Sequence, residues 1–393
     1  MRETVVVSYA RTPFGRMLGA LSGIPAVELG AMAIKEAVNR ANLDANLIDN
    51  VFMGMVVPAG TGQIPSRQAT IKAGLPYEVP SDTLNKVCAS SLRAVNLADS
   101  LIRAGDADII VAGGMENMSL CPYLLPGGRK GYRMGHGKLL DSMVYDGLWC
   151  PFHDVHMGLH GEIAQKEFGV TREEMDRFAY RSHRLATSAF KEGRLKEELM
   201  PVSIPQKRGD PVVFDRDESP REDTTLERLA ALPPAFSKQG TITAGNAPPV
   251  NDGASALVLM SREKAEELGI RPLAAIVSQG MASRESAYIS TVPYYAAEKA
   301  LQKAALTTED LDLIEVNEAF AAVALTCMKL GSWPEEKINV NGGAVAIGHP
   351  IGASGGRILM TLISELRRRG GTYGLATICS GAAQGEATIV KAL

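Results

Sequence analysis

Cys88-Ala89-Ser90-Ser91-Leu92-Arg93 is answered 264 positions later by Gly352-Ala353-Ser354-Gly355-Gly356-Arg357, and each segment opens a helical pattern that runs through a Gly-containing turn into an apolar strand. The two strands, Ile109-Ile110-Val111-Ala112 and Tyr373-Gly374-Leu375-Ala376, keep the same offset. Further upstream, Ala37 to Gly54 matches Ala300 to Asn317 at an offset of 263, so a single inserted residue explains the drift. Short periods of roughly 20 to 50 residues would mean a solenoid, whereas one repeat of about half the chain means two domains related by pseudo-symmetry. Short apolar strands alternating with amphipathic helices make each half α/β, with strands buried on both faces.

Between the halves, Cys121 to about Gly245 has no counterpart in the repeat and carries most of the histidines. It reads as an inserted loop domain. Thr171-Arg172-Glu173-Glu174 supplies a capping-box start there, with Met175, Phe178, Ala179 and Leu185 behind it at helical spacing. Pro248 to Ser261 returns to strand character and is expected to complete the first half. The expected division is therefore 1–120, completed by about 246–270, then the insert 121–245 and a second half 271–393.

Composition narrows the function classes. A net charge of −3 over 393 residues offers no electrostatic reason to bind nucleic acid. The longest apolar stretch, Ala319 to Leu325, falls far short of the roughly 20 residues a bilayer requires, and no cleavable leader pattern opens the chain. Neither membrane nor nucleic acid is an expected partner. The five cysteines form no C-x-x-C pair, which points to a reducing compartment, with the cytoplasm as the default.

The reactive residues fall on the repeat. Cys88 stands just before the helix expected from about Ser90 to Ala104, where a helix dipole is expected to lower its pKa and favour the thiolate. In the second copy Gly348-His349-Pro350-Ile351-Gly352 precedes the matching helix, which puts an imidazole near the place where the first copy has sulfur. Cys379 ends the strand that begins near Tyr373, and the Gly-containing stretch after it allows close backbone approach to a ligand. Asn317-Glu318-Ala319-Phe320 ends another strand and opens a helix, and crevices at the carboxyl ends of strands are the usual sites in open α/β sheets.

Each signal also has a plainer reading. A cysteine at a helix start is often a small buried hydrophobe, and an Asn there is usually a cap. His349 in a Gly/Pro-rich loop could simply be exposed, and Arg367 to Arg369 reads as a solvated helix end. His153, His156 and His160 invite a metal reading, since His156 and His160 are four apart, but the acidic ligands of a zinc helix are missing and no metal is expected.

Taken together and in this order, the residues resemble the thiolase family. Asn85-Lys86-Val87-Cys88-Ala89-Ser90-Ser91 is similar to its nucleophile motif, and Asn317 to Ala321 to its asparagine motif. Asn341-Gly342-Gly343-Ala344 through Gly355 resembles the histidine motif, and Cys379 to Gly385 the second-cysteine motif. The resemblance runs from Arg11-Thr12-Pro13-Phe14-Gly15 to the end of the chain. It implies a duplicated five-layered α/β/α/β/α core with a loop domain inserted after the first half.

The resemblance also implies a chemistry, the reversible Claisen condensation of two acetyl-CoA to acetoacetyl-CoA and CoA. Cys88 would carry the acetyl group, His349 would move its proton, and Cys379 would deprotonate the second acetyl-CoA. His349 and a water held by Asn317 would stabilise the enolate, and backbone amides at Cys88 and Gly381 the acyl oxyanion. His156-Met157 resembles the loop that narrows the acyl pocket in the short-chain branch; Arg221, Ala247, Ala319 and Phe320 are the further CoA-binding candidates. No cofactor is implied, CoA being substrate and product, and a homodimer or homotetramer is expected. Three stretches depart from that branch: Pro248 where it has Ser, Ile289-Ser290-Thr291-Val292-Pro293, and Ala382-Ala383 in place of glycines. Alternatives are a 3-ketoacyl-CoA thiolase with longer chains, a non-catalytic acyl-CoA or lipid carrier on the same fold, and a Cys88–Cys379 redox pair.

Overall fold

The computed structural model describes residues 2–393. In chain order the elements that position the site are β1 (Thr4–Arg11), α1 (Ala26–Arg40), β2 (Asn50–Gly54), α2 (Pro65–Lys72), β3 (Ser81–Leu84), α3 (Ser90–Ala104) and β4 (Ile109–Asn117). They continue with α4 (Arg172–Lys191) in the insert, β5 (Asn251–Ser261), β6 (Ala274–Ser283), α5 (Val292–Ala304), β7 (Leu313–Val316), α6 (Ala321–Gly331), α7 (Ser354–Arg369), β8 (Tyr373–Ser380) and β9 (Gln384–Ala392). The strands form one continuous sheet in the order β7-β8-β9-β6-β1-β5-β4-β2-β3.

The repeat is visible in this order. Each half sets two neighbouring parallel strands, β2 and β4 or β7 and β8, beside antiparallel ones. The parallel bridge of Ile314 to Ile338 stands where β3 flanks β2 in the first half. The halves are joined by a two-residue pairing, Val5 with Ala275 and Val6 with Ala274.

Alternation along the strands builds the layers, because successive side chains point to opposite faces. Val5, Val7, Val111 and Val258 pack with α1 and α2, whereas Val6, Tyr9, Ile110 and Leu257 pack with α3 and α7. From the second half, Ala376 and Ile378 face α3 and α7, and Leu375 and Ile389 face α5 and α6. Five layers result: two outer helical ones, two of strand, and a middle layer of α3 against α7. Those helices touch closely because Gly355 lacks a side chain; a Cβ there would lie 2.5 Å from the Leu92 nitrogen.

The insert is tied to the core by charge. Arg11, fully buried in β1, donates to Glu198 at 2.8 Å and to both oxygens of Asp217 at 2.7 and 2.9 Å. Asp217 also accepts the Phe14 amide, and Glu198 the Thr361 hydroxyl. Arg11→Met would leave two buried carboxylates without their cation, so a loss of about 3 to 5 kcal/mol is expected in urea unfolding. A loss below about 1 kcal/mol would contradict this account. The helix expected after Thr171 is α4, with a complete capping box between Thr171 and Glu174. Among the described residues no helix is long and apolar enough to cross a membrane.

Candidate active site

Parallel neighbours share a carboxyl end, and the reactive side chains gather there. Val316 pairs with Thr377, so Asn317 and Cys379 leave adjacent strands on the same side. Cys88 follows β3 through a turn in which Val87 takes φ +45°, a left-handed conformation that costs a β-branched residue of order 1 to 3 kcal/mol. The turn is held from several sides. The Ser90 hydroxyl accepts the Lys86 amide at 2.8 Å and donates to the Val87 carbonyl at 2.7 Å, and the Lys86 ammonium pairs with Glu386. From the other half, the Ser380 hydroxyl donates to the Lys86 carbonyl. Gly381 lies against Val87 so closely that a Cβ would stand 3.1 Å from its side chain. The loop after Cys379 and the turn before Cys88 are thus in direct contact.

His349 is buried, and its neighbours fix its proton. Its amide donates to Asn251 at 2.9 Å, and Nδ1 lies 2.6 Å from the Ser354 hydroxyl. Ser354 spends its one proton on the Pro350 carbonyl at 2.9 Å, so it accepts from Nδ1–H, and this assigns the lone pair to Nε2. Among the described residues Nε2 has no partner. The same holds for both polar atoms of the Asn317 side chain, which is fully buried. Asn317 is therefore not a helix cap: the residue capping α6 is Phe320, without a side-chain bond. Buried polar groups left unpaired by their own chain mark a place built for something else.

Electrostatics reverses one expectation. Burial, with the backbone amide opposing it and the Glu116 charge adding to it, pushes the Cys88 thiol up to about 12. A helix terminus contributes roughly 0.3 to 1 kcal/mol, whereas that displacement is worth roughly 4 kcal/mol, so desolvation wins and the resting group is a thiol. Burial first, then the charges of Cys88 and Cys327, hold Cys379 well above the ordinary thiol value. Cys379 and Cys88 are close enough to feel each other's charge. Desolvation, helped by Arg357, lowers His349 to about 3.

The His349 ring is therefore expected to stay neutral, in the Nδ1–H form, from pH 8 down to 5. This is readable in the imidazole nitrogen shifts of ¹⁵N-histidine-labelled protein, with a His349 variant for assignment; imidazolium appearing above pH 5 would contradict it. Because the unfolded chain takes up the proton that the buried ring refuses, this group also withdraws stability as pH falls from about 6.5 towards 3.

One supporting residue, Glu116, gave no signal in the sequence. Glu116, which burial raises to about 7, accepts the amides of Val56, Val57 and Gly352 and so ties the His349 loop to the first half. Ser354 could have been suspected from its place one helical turn beyond His349. Glu318 joins Ser182, Asn339 and the Val345 amide, which fixes the strand end beside Asn317.

The remaining candidates divide between two places. Met157, Ala247, Ala319, Phe320 and Cys379 share one apolar cluster. His156 stacks on Phe236 at 4.6 Å, and Phe236 meets Phe320 edge-on at 6.0 Å. A cavity of about 1020 Å³ is lined by Met157, Val87 and Gly381 but by none of Cys88, His349, Asn317 or Cys379. A smaller one of about 320 Å³ is lined by Arg16, His183, Arg221, Ala247, Val250 and Val345. Val250 precedes Asn251, the residue that holds His349. The pairing of His156 with His160 is not found: the ring nitrogen of His156 accepts the Gly158 amide, and His160 meets His153 instead.

Duplicated halves that bring the loops of two buried thiols into contact suit a cysteine-dependent acyltransferase. The chain matches the families described as "Thiolase, N-terminal domain" over residues 4–263 and "Thiolase, C-terminal domain" over residues 270–392. It is 52% identical over 387 residues to the acetyl-CoA acetyltransferase of Pseudomonas aeruginosa, with 98% of each chain covered. It is 52% identical over 391 residues to that of Cupriavidus necator, with both chains covered completely. The crystal structure of the Bacillus anthracis acetyl-CoA acetyltransferase superposes with a TM-score of 0.98 at 41% identity, covering 100% of this chain and 99% of the other. The chain belongs to the thiolase family.

Proposed function

We propose that this protein is an acetyl-CoA C-acetyltransferase that joins two acetyl-CoA into acetoacetyl-CoA and CoA through an acetyl group held on Cys88. The observation that carries the reading is the direct contact between the Cys88 and Cys379 loops, and the buried His349, whose Nε2 lone pair has no partner among the described residues, supports it. The full-length identity to acetyl-CoA acetyltransferases supports it.

The proton balance follows from the resting states. Cys88 attacks the thioester carbonyl as His349 Nε2 takes its proton, and the bond to CoA sulfur breaks. The departing CoA thiolate takes the Cys379 proton, which leaves an imidazolium and a Cys379 thiolate. That thiolate removes a proton from the methyl carbon of the second acetyl-CoA. The carbanion attacks the acetyl carbon, the Cys88 sulfur leaves, and the imidazolium returns its proton. A thiolate destabilised by burial is a stronger base, which suits a weak carbon acid. Asn317, through a water, and His349 face the enolate oxygen, and the amides of Cys88 and Gly381 face the acyl oxyanion.

Arg16 and Arg221 suit the cavity of about 320 Å³ to the phosphates of CoA, which enters as substrate and leaves as product. His156, Met157, Ala247, Ala319 and Phe320 form the acyl and pantetheine walls. The sheet ends on a short edge strand, Ser81–Leu84, which supports pairing with a second copy in a homodimer or tetramer. The cytoplasm is the compartment we assign. The test is turnover of acetoacetyl-CoA with CoA against a chain-length series of 3-ketoacyl-CoAs. Preference for the shortest supports the reading, and preference for eight or more carbons moves the protein to the longer-chain thiolases.

A further inference from the structure

The insert carries a second cluster of reactive side chains that the condensation does not use. A hairpin pairs Trp149 with His156 and Cys150 with Val155, and the helix Met157–Gly161 follows at once. This brings Cys150 Sγ, one nitrogen of His153 and one of His160 within 4.8 Å of one another. Cys150 and His160 are buried, while the His153 side chain is 42% exposed and leaves a route to solvent.

The protons can be assigned on one side. His153 Nε2 lies 3.0 Å from the Glu285 carboxylate, which only accepts, so Nε2 carries the proton and Nδ1 carries a lone pair. Nδ1 points into the cluster, 3.1 Å from His160 Nε2, with the two rings nearly perpendicular. A carboxylate behind an imidazole whose other nitrogen faces a shared point is the arrangement that orients histidine ligands on metals. Tetrahedral zinc, with bonds of roughly 2.0 to 2.3 Å, sets its ligand atoms about 3.3 to 3.7 Å apart, slightly more than the 3.1 Å between the two ring nitrogens and inside the 4.8 Å that bounds all three atoms. One thiolate with two imidazoles selects a borderline-soft transition metal over magnesium or calcium.

We propose that Cys150, His153 and His160 bind one zinc-type divalent ion, with Glu285 orienting His153. On binding, Cys150 releases its thiol proton to solvent and the proton that His160 holds on Nε2 shifts to its Nδ1, so that both imidazoles ligate as neutral rings. The ion bridges the hairpin to the helix after it and so clamps the segment that carries His156 and Met157. The ligands are those of this chain's insert, and the proposal stands apart from the condensation chemistry.

The test is Co²⁺ titration of the full-length, metal-stripped, reduced protein, followed by displacement with Zn²⁺. One equivalent per chain should give intense tetrahedral d–d bands with a sulfur-to-cobalt charge-transfer band, and Zn²⁺ should erase both. Cys150→Ser should abolish the charge-transfer band. His153→Gln, at an exposed position that leaves the fold intact, should abolish stoichiometric binding, and Glu285→Gln should weaken it by roughly 10- to 100-fold. Cys88→Ser and Cys379→Ser should leave the spectrum unchanged. The proposal is overturned by absence of stoichiometric bands in the parent protein, by bands that survive His153→Gln unaltered, or by bands lost only in Cys88→Ser or Cys379→Ser, which would locate the ion at the paired thiols.

Discussion

Cys88→Ala is expected to abolish acetoacetyl-CoA synthesis and thiolysis, with a fall of roughly 10⁴-fold or more, the scale on which removal of a covalent nucleophile acts. The fold should survive. Cys88 is a small buried side chain at the rim of the middle layer, and losing one sulfur atom there costs far less than emptying a Leu or Phe site. Mass spectrometry supplies the second readout: the parent protein incubated with acetyl-CoA gains one acetyl group on the peptide containing Cys88, and the variant gains none. His349 acts through that sulfur, so adding His349→Ala to Cys88→Ala should cost little more than Cys88→Ala alone. Residual turnover within tenfold of the parent, or an acetyl group found on a different residue, would remove Cys88 from the mechanism. An unacetylated but well-folded parent protein would favour a carrier on the same fold.

What could be read in advance depended on how local the cause was. The duplication was legible because each half must repeat its own periodicity: Ser90–Ala104 and Ser354–Arg369 start 264 positions apart in the structure as in the sequence. Strand-end placement of Asn317 and Cys379 followed from the same offset. The ionisation of Cys88 was not legible. Its sign is set by burial and by Glu116, whose position depends on amides from Val56 and from Gly352, on the other half of the chain. The dipole of the neighbouring helix is a local cause and can be read along the chain, but desolvation by both halves outweighs it. Histidine spacing was uninformative for a similar reason. His156 and His160 are four apart, as one helix face requires, but His156 precedes the helix and stacks on Phe236, while His160 turns to His153 and Cys150 in the hairpin. The glycine-to-alanine changes after Cys379 were visible, yet not their cost: Ala382 and Ala383 both take left-handed backbone, at φ +59° and +48°.

Cys379→Ala should separate the two halves of the reaction. Acetyl transfer to Cys88 needs the Cys88 sulfur and His349, both left in place, and the imidazolium can itself return a proton to departing CoA. Exchange of labelled CoA into acetyl-CoA is therefore expected to persist, slowed by tenfold at most. Carbon–carbon bond formation has no such substitute. Its base is gone, and loss of a positioned general base removes roughly 10²- to 10⁴-fold, so condensation should fall by about 10³-fold. Washout of the acetyl-CoA methyl protons into deuterated water should vanish with it, because that step needs the base alone. Cys379→Ser should behave like Cys379→Ala, since an alcohol in the same buried position is harder still to ionise than a thiol already held up by burial and by the Cys88 charge. Equal loss of exchange and condensation would mean that Cys379 supports the acetyl-enzyme itself, through the contact of its loop with Val87 and Lys86. Retention of both would assign the carbon acid's proton to another group, and His349, whose Nε2 has no partner among the described residues, would be the one to test.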